Sequence, residues 1–347
     1  MYNYKQYLIS SKVSISDALL KLNQLPDNKI LFVVDEVRTL LGSITDGDIR
    51  RSLLKNKSKG ISIKKLYQSS PKFLYQDDLN IQNILKLREK KIDIFPILDR
   101  KMRIINILNF NFYRSFLPID AVIMAGGRGR RLSPLTDLTP KSLLKIGEKP
   151  IMEHNLDRLI TFGIKDFWFS LNYLKDEIIS HFEESKKGVN ISYIEEQEPM
   201  GTIGALSKVD HFRNEHVLLT NSDLLTNLNY EDFYLDFLKN DADISMVTIP
   251  YDVVIPYGVV KQFQNQVQGI KEKPTYTYYS NAGIYLMKKA VFNSIPKNTF
   301  IDATDLITNE INRKKKVISY PFSGYWLDIG TPEDYQRAQS DINHIKF

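Results

Sequence analysis

From Ala121 onward, short apolar runs recur with helical stretches between them. The runs are AVIM, FWFSL, ISYIE, HVLLT, ISMVTI and AGIYLM, and the stretches include Met152–Phe162 and Asp176–Glu184. A brief apolar run bounded by polar sequence reads as a buried strand, and strands alternating with helices build βαβ units. The expected fold class is therefore α/β, a Rossmann-like domain around a mostly parallel mixed sheet with helices on both faces. Ligands in such sheets bind beyond the carboxyl ends of the strands. The loop after each run is where chemistry is expected.

Residues 1–118 follow a different plan of two similar halves. The stretch Lys29–Ile44, KILFVVDEVRTLLGSI, reads as strand with a polar break at Asp35–Thr39, and a helix starts at the acidic pair of DGDIRRSLL. The stretch Asp93–Leu108, DIFPILDRKMRIINIL, repeats the pattern after an amphipathic helix over Leu79–Lys90. Tandem α/β units of this kind bury their sheets against each other, and a spacing of roughly 60 residues is too long for a solenoid. Pro118, in RSFLPID, can stop one element before the next strand, so two domains are expected, 1–118 and 119–347.

Charge divides at the same place. Residues 1–118 carry 21 basic and 11 acidic side chains, whereas 119–347 carry 26 and 30. The net +6 of the 347-residue chain therefore belongs to the first segment, where an anionic small ligand or an acidic face of the partner domain explains it better than nucleic acid does. The chain has no cysteine, which excludes disulfides, thiolate metal sites and cysteine nucleophiles. Its five histidines show no metal-ligand spacing. The N-terminal MYNYKQYLIS is no secretion signal and no window is apolar enough to span a bilayer, so a cytoplasmic protein without a membrane partner is expected.

The first strand of the second segment runs into AGGRGRRLSPLTDLTPKSLLKI. Gly126, Gly127 and Gly129 let backbone amides approach a polyphosphate with no Cβ in the way. Arg128, Arg130 and Arg131 add charge at the same mouth, and Lys141 and Lys145 follow a loop held by Pro134 and Pro140. The string is neither a Walker A motif, which needs GK[ST], nor a dinucleotide fingerprint, which leads straight into a helix.

Two resemblances extend this reading. GSITDGDIRR, Gly42–Arg51, resembles the CBS-domain pair, in which a Gly-x-x-Thr-x-x-Asp pattern holds the ribose and phosphate of an adenosine nucleotide. Gly42, Thr45 and Asp48 match it. The second half departs, with Asn106, Asn109 and Phe112 at the corresponding positions, so at most one ordinary nucleotide site is implied. The alternative is a module that only scaffolds and dimerises.

Over 119–347, GGxGxRLxPLT…PK resembles the signature of the sugar-1-phosphate nucleotidyltransferases. EPMGTIGAL, NSDLLT, EKP, NAGIYL and WLDIGTPEDYQRA follow in that family's order. The resemblance implies that Gly126, Gly127 and Gly129 cradle an NTP and that Arg131 neutralises the departing pyrophosphate. Lys141 would contact the α-phosphate and the incoming sugar phosphate, and Asp223 with Asp328 would hold Mg²⁺. Glu272 and Lys273 would take the sugar hydroxyls and phosphate, and Asn281 with Gly283 would line the sugar pocket. A homo-oligomer is implied as well. Arg128 reads as a solvated loop charge, Lys145 as a cap, and RKKK at Arg313–Lys316 as a solvated helix end.

Base choice falls to EEQEPMGT, where Gly201 and Thr202 would pack on the base and Glu196 would reach its edge. A carboxylate only accepts, and guanine offers adjacent N1–H and N2–H₂ donors, so Glu196 favours GTP over UTP or TTP. If a backbone amide reads the base instead, that preference disappears. The fusion of a CBS pair to this enzyme also resembles the glucosamine-1-phosphate guanylyltransferases of legionaminic-acid biosynthesis. That likeness is architectural, and mannose, heptose and glucose 1-phosphates stay open, as does a nucleotide-sensing protein without turnover.

Overall fold

The computed structural model describes residues 4–26, 30–54, 62–185, 188–196 and 198–345. Lys29, the first residue of the first expected strand stretch, lies outside them. Contacts divide the chain into two compact units, Met1–Phe116 and Leu117–Phe347.

The first unit is an internal repeat. Its first half runs β1 (Leu8–Ser10), α1 (Ile15–Gln24), β2 (Ile30–Val34), β3 (Leu40–Thr45) and α2 (Asp46–Leu54). The second half runs β4 (Leu74–Tyr75), α3 (Ile81–Glu89), β5 (Ile94–Leu98) and β6 (Ile104–Asn109). Each half forms a three-stranded sheet in which the first two strands are parallel and the third antiparallel, with a register shift at Val33/Val34 in one and Ile97/Leu98 in the other. The polar residues that begin each helix explain its start. Ser14 and Asp17 form a capping box on α1, and Asn80 caps α3. The halves meet through Leu40 N to Met102 O (2.9 Å) and Ile104 N to Arg38 O (2.9 Å), and Leu98, Ile104 and Ile107 join the core built by Leu22, Leu31 and Ile44.

The second unit is built on a seven-stranded sheet. Its elements are β7 (Ile119–Met124), a short hairpin of β8 (Lys145–Ile146) and β9 (Lys149–Pro150), α4 (Ile151–Thr161), β10 (Asp166–Leu171), α5 (Lys175–Ser185), β11 (Asn190–Glu195), β12 (His216–Asn221), β13 (Leu224–Thr226) and α6 (Tyr230–Lys239). Then come β14 (Ile244–Val254), β15 (Val259–Phe263), β16 (Gln266–Lys271), β17 (Thr275–Lys288), α7 (Ala303–Asn312), β18 (Val317–Pro321), β19 (Trp326–Asp328) and α8 (Pro332–Asp341). The sheet order is β11-β10-β7-β12-β17-β14-β18. Neighbours are parallel except at β17, which runs against both β12 and β14. AGIYLM, expected in the alternating series, is thus part of a 14-residue antiparallel strand. Continuous apolar runs such as Ala121–Ile123 and Val217–Leu219 explain the buried centre of the sheet.

Past Thr248, β14 leaves β18, and the far half of β17 leaves β12, so the two strands continue as a two-stranded ribbon tipped by the β15–β16 hairpin. Every residue of β16 is exposed. No described helix is long and apolar enough to cross a membrane.

Candidate active site

A cavity of about 690 Å³ opens at the carboxyl ends of the central strands. Four strands deliver its wall. Strand β7 leads into Ala125–Arg130, β10 supplies Ser170 and is followed by Asn172, β11 is followed by Glu196, and β12 leads through Asn221 and Ser222 to Asp223. Backbone bonds keep these turns in step with the sheet, including Ala125 N to Ser170 O (2.9 Å), Glu196 N to Leu171 O (3.0 Å) and Ser222 N to Met124 O (3.1 Å).

The glycine turn is held from behind. Gly129 has φ +62°, and a Cβ there would lie 2.9 Å from Thr136 Cγ2 and 3.0 Å from Lys141 Cβ. Thr136 Oγ1 donates to Gly129 O at 2.9 Å. The Lys141 stem therefore lies along the glycine turn. Arg128 and Arg130 line the cavity, and the Arg128 guanidinium sits 5.5 Å from the Tyr173 ring centroid, so Arg128 is a placed charge. Arg131 stands outside that wall, with its guanidinium 3.1 Å from where a Cβ on Gly330 would lie, close enough to act on Asp328.

Two carboxylates meet Lys141. The antiparallel pairing of β13 with β19 sets Leu224 opposite Asp328, and Ile329 N bonds Asp223 O at 3.1 Å. Lys141 Nζ donates to Asp223 Oδ2 and stands 3.8 Å from Asp328 Oδ1. Burial raises the Asp328 carboxyl above the ordinary carboxylate range and the Asp223 charge adds to the rise, while Lys141 and Arg131 oppose it. Asp223 Oδ1 and Asp328 Oδ1 are buried with no hydrogen-bond partner. Two orphaned anionic oxygens fit a hard divalent cation whose other ligands are phosphate oxygens and water. Among the described residues no group of three or more His, Asp or Glu side chains could hold a metal by itself, so this pair carries the assignment.

Glu196 lines the cavity with most of its acceptor capacity engaged. Oε1 accepts from Ser170 Oγ at 3.2 Å, and Oε2 accepts from Asn172 Nδ2 and Met200 N at 3.2 Å each. A carboxylate has about four acceptor sites, so roughly one remains for a ligand, against the two that a guanine clamp would use.

The following loop is clamped to the start of α7. Thr202 N donates to Asp302 Oδ1 (2.8 Å), Ala303 N to Thr202 Oγ1 (2.8 Å) and Ile301 N to Met200 O (3.0 Å). Gly201, Thr202, Phe300 and Asp302 line the cavity together.

Of the residues expected at the site, Gly126, Gly127, Gly129, Lys141, Glu196, Gly201, Thr202 and Asp223 line the cavity, and Asp328 joins through Lys141. Glu272 and Lys273 do not line it. They lie exposed between β16 and β17. Asn281 spends its amide on Tyr285 Oη (2.6 Å) and accepts from Gly283 N (3.0 Å). Gly283 supports the wall from behind, because a Cβ there would sit 2.6 Å from Asn221 Nδ2. Ser170, Asn172 and Asp302 lie outside the motifs, and Asn221 opens NSDLLT without a role of its own. For Asn172 and Asn221 the available signal was position at a strand's carboxyl end.

In the first unit, Thr45 and Asp48 cap α2. Thr45 Oγ1 donates to Asp48 Oδ2 (2.7 Å) and accepts from Asp48 N (3.2 Å). The other oxygen, Oδ1, accepts from Arg51 (2.7 Å), and together the Thr45 and Arg51 hydrogen bonds outweigh burial and hold the carboxyl below the ordinary range. Gly42 is needed for a close approach, since a Cβ would lie 2.4 Å from Gln68 O. In the second half, Asn109 is fully buried and bonds Tyr7 Oη (3.2 Å).

Residues 120–344 match the family model described as "Nucleotidyl transferase". The chain belongs to that family. This nucleotidyl transferase is 30% identical over 231 residues to the D-glycero-alpha-D-manno-heptose 1-phosphate guanylyltransferase of Aneurinibacillus thermoaerophilus, covering 65% of this chain and 99% of the relative. It is also 30% identical over 233 residues to the mannose-1-phosphate guanyltransferase of Yarrowia lipolytica, a match that spans 62% of each protein. Among solved structures, HddC from Yersinia pseudotuberculosis complexed with GMP-PN aligns with a TM-score of 0.51 at 26% identity, over 65% of this chain and 99% of that one.

Proposed function

We propose that this nucleotidyl transferase moves a nucleotidyl group from an NTP, GTP by preference, to a sugar 1-phosphate and releases pyrophosphate. The observation that carries the reading is the convergence of the glycine turn, Lys141 and two carboxylates that each keep one unpartnered oxygen. The phosphate of a sugar 1-phosphate has a second pKa of about 6, so it is ionised at neutral pH and needs no general base. The barrier lies in bringing two anions together and in charge on the leaving group. Backbone amides of Gly126–Gly129 orient the triphosphate, Lys141 screens the reacting phosphates, and Arg128, Arg130 and Arg131 draw anions to the mouth. Asp223 and Asp328 would hold Mg²⁺, which when bound supplies neutralisation of the triphosphate charge.

Guanine rests mainly on the relatives named guanylyltransferases, since the free capacity of Glu196 is small. For the sugar, the fused architecture supports glucosamine 1-phosphate. Mannose or manno-heptose 1-phosphate is the second reading, favoured by what the relatives are named for. The repeated sheets of residues 1–118 support a CBS pair that binds a nucleotide beside Thr45 and Asp48 or serves to dimerise the enzyme. A pyrophosphate-release assay over four NTPs and a panel of sugar 1-phosphates tests the activity. GTP with one sugar should dominate, and no release with any pair would refute the reading.

A further inference from the structure

Asp223, Asp328 and Lys141 form a cluster with two anions and one ammonium. Lys141 Nζ donates to Asp223 Oδ2 and stands 3.8 Å from Asp328 Oδ1, and its side chain is only 14% exposed. A divalent cation held by the unpartnered Asp223 Oδ1 and Asp328 Oδ1 would sit beside this ammonium, which already neutralises Asp223 through Oδ2 and stands 3.8 Å from Asp328 Oδ1, so the two cations compete for the same pair of carboxylates. The lysine stem offers it another place to go. Gly129 lies against the stem, with its absent Cβ 3.0 Å from Lys141 Cβ and 3.4 Å from Lys141 Cδ, so the chain passes directly over the glycine turn. A four-carbon stem with free rotors can swing its head from the carboxylates to phosphate oxygens on that turn without moving the backbone.

We infer that Lys141 is an internal placeholder for the divalent cation: its ammonium holds Asp223 and Asp328 together in the free protein and is handed to the phosphates when nucleotide and cation bind. Without some positive charge, two carboxylates set side by side by the pairing of β13 with β19 repel, and the site would spread before a metal arrived. With the ammonium in place the site stays assembled but is disfavoured for a bare cation. Nucleotide phosphates remove that competitor by attracting it. Metal and nucleotide therefore bind with positive coupling, and the coupling is stored in one lysine. Arg131, against Gly330, stays beside Asp328 through the exchange. This inference rests on the metal-assisted reading above.

The test is Mn²⁺ binding to the full chain, followed by the electron paramagnetic resonance of free Mn²⁺, alone and with a non-hydrolysable GTP analogue whose own Mn²⁺ binding is subtracted. Wild-type protein should bind Mn²⁺ weakly alone and about tenfold or more tightly with the analogue. Lys141→Met should bind Mn²⁺ alone about tenfold more tightly than wild type and lose most of the gain from nucleotide. Lys141→Arg, which keeps a cation, should bind bare Mn²⁺ as weakly as wild type, and a thermal melt confirms that each variant is folded. Lys141→Met binding bare Mn²⁺ no better than wild type overturns the inference. So does Mn²⁺ binding that survives Asp223→Asn, because the site is then elsewhere. Coupling that persists in protein inactive toward every sugar phosphate would refute the proposed reaction and leave the exchange standing.

Discussion

Replacing Gly201 by alanine tests whether the cavity depends on one close backbone approach. Gly201 has φ +77°, and the added Cβ would lie 2.4 Å from Ile301 O and 2.7 Å from Ile301 C. A carbonyl cannot rotate away as a side chain could, and Ile301 is bonded to both Met200 and Ile203. The left-handed backbone costs alanine about 1–2 kcal/mol. Forcing a methyl into a packed contact adds about 1–3 kcal/mol. Together the loss is about 2–5 kcal/mol, which for a unit of this size lowers Tm by roughly 4–20 °C. The same shift separates Thr202 from Asp302 and pulls Met200 N from Glu196, so KM for the NTP should rise alongside the fall in Tm. Thermal melts by circular dichroism and pyrophosphate-release kinetics read both effects. Gly127→Ala is the control. Its Cβ would meet nothing within 4 Å, so its Tm should match wild type while KM for the NTP rises. If Gly201→Ala melts within about 1 °C of wild type with an unchanged KM, the argument from backbone strain is wrong.

Three further perturbations follow from the site and the first unit. Asp328 takes up a proton more readily folded than unfolded, so stability is lost as pH rises from the unfolded to the folded pKa; Asp328→Asn should flatten that part of the urea-melt pH profile. Cation binding needs the ionised form, so the acid limb of kcat/KM should lie above the ordinary carboxylate range, and a limb within that range would contradict the assignment. Glu196→Gln puts an amide among three donors, at a cost of about 1–3 kcal/mol, so KM for GTP should rise roughly tenfold or more; equal kinetics would show that those hydrogen bonds do not shape the pocket. Thr45→Ala removes the cap of α2 and should cost the first unit about 0.5–2 kcal/mol by chemical denaturation. Calorimetry on the same full-length variant shows whether nucleotide heat seen with wild type vanishes.

Elements and residues were legible where local sequence decides them. The strand into the glycine turn and the start of α2 at DGD follow from short-range pattern, whereas Lys141 and Asp223 were named through the family resemblance. AGIYLM was read as a strand and is one, but a brief apolar run carries no direction, and the antiparallel setting of β17 shows only in its pairing with β12 and β14. Glu196 was visible, but its engagement by Ser170 and Asn172 requires β10 and β11 to be neighbours, which no single strand encodes. Arg128 read as a solvated charge because Tyr173, the ring it stacks on, lies 45 residues away in the chain. Glu272 and Lys273 stand away from the cavity because their ribbon leaves the sheet, a path fixed by where β18 and β12 stop pairing.

The ladder between β13 and β19 also has a meaning for biosynthesis. Asp223 meets its companion carboxylate only when a segment 105 residues later has been made and has paired beside Leu224. At roughly 5–20 residues per second of synthesis, the central strands have about 5–20 s to form before the cation site can exist. A chain halted before Trp326 can complete the glycine turn and most of the sheet yet hold only one of the two carboxylates. On the proposed reading of the site, products terminated before Trp326 should therefore fail to bind metal-bound nucleotide, and competence should arrive in a single late step of translation.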